Sequence, residues 1–374
     1  MPFLFALLLT FVPAFAGAQQ VPALPPIAAK AYLVADFNSG QLLVSQNPHQ
    51  RIEPASLTKL MTAYLTFSAL RQKTLKPEQI VPVSTRASKS EGSRMFIEPN
   101  KPVSVEELLK GLIVQSGNDA CVALAEAIAG TEAAFAQMMN REAQRLGMKN
   151  TNFVNSTGLP HPQHYTTAYD LSLLASAIIR DFPEYYPVYS LKEYRYNNIT
   201  QSNRNRLLWV DPTVDGMKTG HTENAGYCLV ASARRGSRRL LSVVLGTGSE
   251  SARAIESQKL LNFGFQFYDT VRLYEKDHAV STVKVWKGSA NQVKAGFPYD
   301  LYVSVPKGYG EKLKATVETQ QPLLAPIAAG QKIGVMRVEL DGKPFGEYPV
   351  VALEEVPIAG IFGRGWDSLR LLFK

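Results

Sequence analysis

The chain has 374 residues, 45% hydrophobic and 19% charged, with a net charge of +8. Single cores rarely grow past roughly 250–300 residues, so this length suits a folded protein of about two domains. The basic balance favours an anionic partner, but no block of like charge dominates, which excludes a nucleic-acid-binding arm.

The first segment, Met1 to about Ala18, is rich in Leu, Phe and Ala and carries no charge. It ends in Ala14-Phe15-Ala16-Gly17-Ala18, small residues that fit signal-peptide cleavage, so everything from about Gln19 onward is expected to be exported. The start lacks the Lys or Arg usual in such a segment. No later apolar run reaches ~18 residues, so no membrane-spanning helix is expected.

Ala31–Ser45 reads as a hairpin, with Tyr32-Leu33-Val34 and Leu42-Leu43-Val44 flanking the turn Asn38-Ser39-Gly40. Pro54-Ala55-Ser56-Leu57-Thr58-Lys59 then opens a helix. Residues three apart share a helix face, so Ser56 and Lys59 point the same way. A serine there is an ordinary helix-start residue; with a lysine beside it, it is also a nucleophile with a base in reach. Leu57, Leu60, Met61, Tyr64 and Leu65 recur at helical spacing and should be buried.

Ser104-Val105-Glu106-Glu107 caps a helix running to about Val114. Gln115-Ser116-Gly117-Asn118 breaks it, and an Ala-rich helix resumes over Asp119–Ile128. Between two helices, Ser116 and Asn118 could project into a cleft. Cys121 lies in this helical pattern and Cys228 in a strand-like one. The pair allows one disulfide at most, and both read as buried small hydrophobes. A turn cluster, Asn155–Pro160, precedes His161 and His164, and His164 could line a site.

Arg195–Trp209 is polar and includes Asn203-Arg204-Asn205-Arg206. Val214–His221 follows, carrying Lys218-Thr219-Gly220. Gly226–Ala233 and Arg239–Gly246 alternate like paired strands, and Arg253–Phe267 returns to helix. Past about Lys276 the pattern becomes short strands divided by Gly and Pro turns, as in a small all-β module. Val356–Lys374 changes again: Ile358, Ile361, Phe362, Trp366, Leu369, Leu372 and Phe373 repeat at helical spacing. That predicts a basic amphipathic helix lying on a membrane surface. No His/Cys/Asp cluster has metal-ligand spacing, so neither metal nor cofactor is expected.

Three short motifs therefore stand in one order: Ser56-x-x-Lys59, Ser116-x-Asn118 and Lys218-Thr219-Gly220. Each is common alone; the ordered set marks penicillin-binding proteins and serine β-lactamases. The chain resembles the low-molecular-mass penicillin-binding proteins that act as D-alanyl-D-alanine carboxypeptidases, the type-five group. Further matches are Ser93-Arg94-Met95-Phe96, Asn205 to Trp209 and Lys218-Thr219-Gly220-His221-Thr222.

The resemblance implies an α/β (α+β) penicillin-binding/β-lactamase-like domain, an antiparallel sheet flanked by helices, over 19–275. The signal peptide would occupy 1–18, an all-β domain 276–354 and an amphipathic anchoring helix 355–374. It also implies roles. Ser56 attacks and is acylated, and Lys59 takes its proton, held neutral by burial and by Lys218. Ser116 and Lys218 relay a proton to the leaving amine, and Asn118 bonds the substrate amide while bracing Lys59. The backbone N–H groups of Ser56 and His221 hold the oxyanion. Thr219 contacts the terminal carboxylate with Arg204 and Arg253 as partners, and Gly220 permits close approach of a strand edge.

The implied partners are peptidoglycan stem peptides, β-lactams and, through the terminal helix, the outer face of the cytoplasmic membrane. Three other readings share these residues: a D-alanyl-D-alanine endopeptidase, a β-lactamase and a non-catalytic peptidoglycan-binding protein. The loop Gly158–Asp170 contains no glutamate to activate a deacylating water, so slow penicillin turnover is expected.

Overall fold

A computed structural model describes residues 21–360. The proposed signal peptide and residues 361–374 of the proposed anchoring helix lie outside the described residues. The chain divides into two compact units, Ala23–Leu273 with Leu301–Ser304, and Tyr274–Asp300 with the chain from Val305.

The first unit is built on a five-stranded antiparallel sheet. Its strands are β1 (Ala31–Asp36), β2 (Leu42–Gln46), β3 (Val214–Thr222), β4 (Gly226–Arg235) and β5 (Arg238–Thr247), in the order β2-β1-β5-β4-β3. Successive side chains of a strand point to opposite faces. Leu33 and Ala35 of β1 join one apolar cluster with Leu60, Met61 and Phe67, while Tyr32 and Val34 join another with Ala254, Leu260 and Leu261. Both faces of the sheet are thus covered by helices, so β1 is buried along its whole length.

The helix α1 (Lys59–Arg71) is apolar on nearly every side and runs through the larger cluster. Leu57, Leu60, Met61, Tyr64 and Leu65 are all buried, as their spacing predicts. Around it lie α2 (Val105–Lys110), α3 (Asn118–Ala129), α4 (Glu132–Arg145) and α5 (Ala168–Asp181), with α6 (Glu250–Phe267) against the sheet's other face. The helix expected to continue to Val114 instead ends at Lys110 in a capping-box helix. A single π-turn, Gly111–Gln115, follows. Such turns store local distortion at functional sites.

A hairpin missing from the polar reading of Arg195–Trp209 pairs Glu193–Tyr196 with Ile199–Ser202. Its turn residues Asn197 and Asn198 have φ of 49° and 61°, the left-handed values that asparagine tolerates in tight hairpins.

The second unit is all-β. Its six-stranded sheet contains β6 (Ala279–Trp286), β7 (Gln292–Gly296), β8 (Leu313–Thr319), β9 (Leu323–Leu324), β10 (Lys332–Leu340) and β11 (Lys343–Ala352), in the order β8-β10-β11-β7-β6-β9. Only the β9–β6 pair is parallel. The helix expected to start at Val356 does not start there. Val356 and Ile358 form bridges with Ile327 and Gly288, and Ala359 N–H donates to Lys287 O at 2.8 Å. These ladder bonds occupy the backbone groups a helix would need, and Pro357 has no N–H to give.

Candidate active site

Pro54 leads into a 3₁₀ turn, Ala55–Thr58, which runs directly into α1. Ser56 thus sits at the helix mouth, partly exposed, while Lys59 one turn on is fully buried. Lys59 Nζ lies 3.1 Å from Ser56 Oγ, 2.6 Å from Asn118 Oδ1 and 2.6 Å from the Thr157 carbonyl oxygen. A neutral amine has two N–H donors and one lone pair. Asn118 Oδ1 and the Thr157 carbonyl can only accept, so the Ser56 hydroxyl is the one partner able to donate to that lone pair. The geometry is that of a base resting on its nucleophile.

Burial is the main cause holding Lys59 below the ordinary lysine value; the nearby Arg204 charge acts the same way, while Cys121 and Asp119 oppose it. Lys218 is held well below, by burial first and then by the charges of Lys59 and Arg204. Lys59 and Lys218 thus disfavour each other's charge, as the sequence suggests, and Arg204 adds a further cation that acts on both.

Ser116 and Asn118 meet the two lysines from the other side. Ser116 follows the π-turn with φ of 62°, uncommon for a residue bearing Cβ, and its Oγ accepts from Lys218 Nζ at 2.9 Å. Asn118 opens α3. Its Nδ2 donates to the Glu91 carbonyl at 2.6 Å, so this amide is oriented at both ends and keeps one N–H for another acceptor. Gly92 lies against it: a Cβ there would stand 2.9 Å from Asn118 Nδ2.

Lys218, Thr219, Gly220 and His221 lie on β3, the edge strand of the sheet. Gly220 packs closely on the serine turn: a Cβ there would come within 3.2 Å of Pro54 O and Leu57 Cγ, tighter than ordinary van der Waals contact. Lys218 and Thr219 are buried, whereas the His221 ring is exposed and lies 4.0 Å from the Tyr227 ring.

Arg253, on α6, is almost fully buried. Its Nη1 donates to Gly220 O at 3.4 Å, and its Nη2 lies 3.4 Å from Arg204 O and 3.2 Å from Glu250 Oε1. Arg204 itself is exposed, between the buried Asn203 and Asn205. Asn203 donates to Leu191 O and Asn205 to Gly216 O, so the loop is tied to β3.

His164 is not where its proposed role needs it. It is 2% exposed, Nδ1 accepts from Val154 N–H at 3.4 Å, and Nε2 lies 2.8 Å from Thr58 Oγ1. With Nδ1 accepting, Nε2 carries the proton and donates to Thr58. Burial, with His161 nearby, pushes its pKa down to about 4, so the ring is neutral and braces the serine turn from behind.

Several supporting groups have no motif to announce them. The Thr157 carbonyl is backbone and leaves no trace in residue type. Gly158 (φ of 90°) packs on the serine peptide so tightly that a Cβ would fall 1.8 Å from Ala55 O and 3.0 Å from Ser56 N. Glu132 Oε1 accepts from Ser156 N–H at 3.0 Å and Ser156 Oγ at 2.7 Å, and Arg86 pairs with its other oxygen. Asp119 accepts from the N–H groups of Met95, Phe96, Ile97 and Ala120, which fixes the Ser93–Phe96 stretch beside α3. Its place in the run Ser116-Gly117-Asn118-Asp119-Ala120-Cys121, part of the family resemblance, is the sequence signal for it. Cys121 and Cys228 are buried and free, and burial pushes the Cys121 thiol up to about 12.

Comparison with known proteins agrees with this architecture. A family model for D-alanyl-D-alanine carboxypeptidases of the S11 peptidases matches residues 18–249, and one for the penicillin-binding protein 5 C-terminal domain matches 268–357. The D-alanyl-D-alanine carboxypeptidase DacC of Escherichia coli is 41% identical, over 98% of this chain and 94% of that protein. The crystal structures of penicillin-binding protein 5 from Haemophilus influenzae superpose with a TM-score of 0.86 at 43% identity, covering 89% of this chain and 98% of that one. Penicillin-binding protein D2 of Listeria monocytogenes, solved with ampicillin bound, is 32% identical with a TM-score of 0.57, covering 64% of this chain and 98% of that one. The serine, both lysines and the edge strand thus lie within the first matched span, and the chain belongs to the D-alanyl-D-alanine carboxypeptidase family of serine peptidases.

Proposed function

We propose that this chain removes the terminal D-alanine from peptidoglycan stem peptides through an acyl-enzyme on Ser56. The observation that carries the mechanism is the three-partner geometry of Lys59, which leaves its lone pair only the Ser56 hydroxyl. Thr219, with Arg253 and Arg204, holds the terminal carboxylate. Ser56 Oγ attacks the penultimate carbonyl carbon as its proton passes to Lys59 Nζ. The oxyanion develops between the backbone N–H groups of Ser56 and His221, donors fixed by the 3₁₀ turn and the edge strand. As the C–N bond breaks, the departing D-alanine amine takes the proton that Lys59 received, relayed along Ser116 and Lys218, which returns Lys59 to its neutral form. Water then hydrolyses the ester, with Lys59 again accepting the proton. Asn118 bonds the substrate amide through its remaining N–H.

A β-lactam enters the same path. Its ring amide is attacked by Ser56, but the expelled amine stays tethered to the acyl group, so the ester persists. Without a glutamate in Gly158–Asp170, deacylation is expected to be slow, which makes the drug an inhibitor. Incubation with a free pentapeptide tests the assignment directly: release of one D-alanine per peptide by the parent and none by Ser56→Ala supports it, whereas equal release by both contradicts it.

The location follows from the sequence. Met1–Ala18 directs export, and residues beyond Gly360 attach the enzyme to the outer face of the cytoplasmic membrane. Their aromatic and basic residues support this. Among the described residues, no helix is long and apolar enough to cross a membrane.

A further inference from the structure

Next to Arg204 lies a cavity of about 330 Å³ lined by Ser202, Asn203, Arg204, Arg206, Trp209 and Glu250. The mechanism above uses only Arg204 of this set. Arg253 connects the cavity to the reacting centre, since one guanidinium nitrogen lies on Gly220 O of the edge strand and the other on Arg204 O and Glu250.

With Arg204 lining the same cavity, two guanidinium groups, Arg206 and Arg253, here meet one carboxylate, Glu250. The nearest approach of Arg206 to it is loose, 3.8 Å between Nε and Oε1, with side chains 62% and 43% exposed. Arg253 competes for the same oxygen at 3.2 Å. Arg206 is therefore under-paired and faces a cavity whose other wall is the half-exposed Trp209. The departing D-alanine needs room for a single methyl group, and this cavity holds far more.

We propose that the cavity is a leaving-group subsite for a C-terminal D-residue that is longer than alanine and bears a second carboxylate, with Arg206 as that carboxylate's partner. The class is that of acidic D-amino acids. The chemistry is unchanged: the Ser56 Oγ–carbon bond forms, the amide C–N bond breaks, and the departing amine takes the proton. The α-carboxylate stays with Thr219 and Arg253 while the side chain extends past Arg204 over Trp209. The proposal rests on the carboxypeptidase assignment and goes beyond it in leaving-group scope.

Peptides ending in D-Ala-D-Ala, D-Ala-D-Glu and D-Ala-D-Gln test it, the last two being close in shape and different in charge. The full chain should favour the D-Glu over the D-Gln substrate in kcat/KM by up to about fivefold at low salt, the upper end for an exposed ion pair. High salt should erase the preference. Arg206→Gln should abolish it, and Glu250→Gln, which removes the competing carboxylate, should enlarge it. An unchanged Glu/Gln ratio in Arg206→Gln, or release of D-alanine with neither longer residue released, overturns the subsite. Failure to release D-alanine at all, with no penicillin label on the parent, overturns the carboxypeptidase assignment and the subsite with it.

Discussion

Lys59 has three neighbours and, when neutral, two protons to give. Removing the base while keeping an apolar side chain of similar length isolates its role. Lys59→Met should lower the acylation rate by about 10²–10⁴-fold, the usual contribution of a positioned general base, as read by stopped-flow quenching with a fluorescent penicillin. The same lysine makes a stability prediction. Its folded pKa lies below its ordinary value of 10.5. Between those two values the unfolded chain carries a proton that the folded chain lacks, so stability rises with pH across that window. Thermal melts of the parent at increasing pH up to about 10 should gain more than those of Lys59→Met, and parallel curves would show a charged Lys59. Gly158 offers a steric counterpart. Gly158→Ala places a methyl group against the Ala55–Ser56 peptide at a φ of 90°. A displacement of about 1 Å near a nucleophile can cost 100-fold in rate. Acylation should therefore fall by at least about tenfold, and an unaffected rate would mean that the turn yields freely.

At the scale of elements, Lys59 and Lys218 are held by segments that carry no chemistry of their own. Asp119 satisfies four N–H groups in one carboxylate. Asp119→Ala strands them in a buried place, at about 1–3 kcal/mol for each left unpaired, so urea denaturation should show a loss of at least about 3 kcal/mol. Glu132 fixes the loop that presents the Thr157 carbonyl to Lys59. Gln keeps an acceptor for Ser156 whereas Ala does not. The differing legibility of these parts has a physical basis. The helical spacing of Leu57 to Leu65 reports burial, so α1 was readable; β4 and β5 were readable as strands, but six consecutive residues of each are buried, not the alternate ones, because helices cover both faces of the sheet. The convergence of Ser56, Lys59, Ser116, Asn118 and Lys218 was readable because the proposed chemistry demands fixed residue types in a fixed order. Carbonyl acceptors, the close approach at Gly158 and the π-turn at Gly111–Gln115 depend on backbone conformation, which residue type does not encode. His164 misled for a related reason: its type fits a site, but its burial is set by a fold that brings Thr58 and Val154 to its two nitrogens.

For the whole molecule, the proposed membrane attachment is tested at the boundary between the second unit and the residues beyond it. The extended run Val356–Ala359 is bonded to the all-β unit, so a clean test of membrane attachment cuts after Gly360 rather than at Val356. The chain ending at Gly360 should remain folded, react with penicillin at the parent rate and move from the membrane pellet to the supernatant; continued sedimentation with membranes would place the anchor elsewhere. The central claim concerns the intact protein and one hydroxyl group. Labelling the full chain with a fluorescent penicillin, followed by peptide mapping, measures it most directly. The account predicts one label per chain on Ser56, lost in Ser56→Ala and slowed in Lys59→Met. No label on the parent, or label retained by Ser56→Ala, would contradict it.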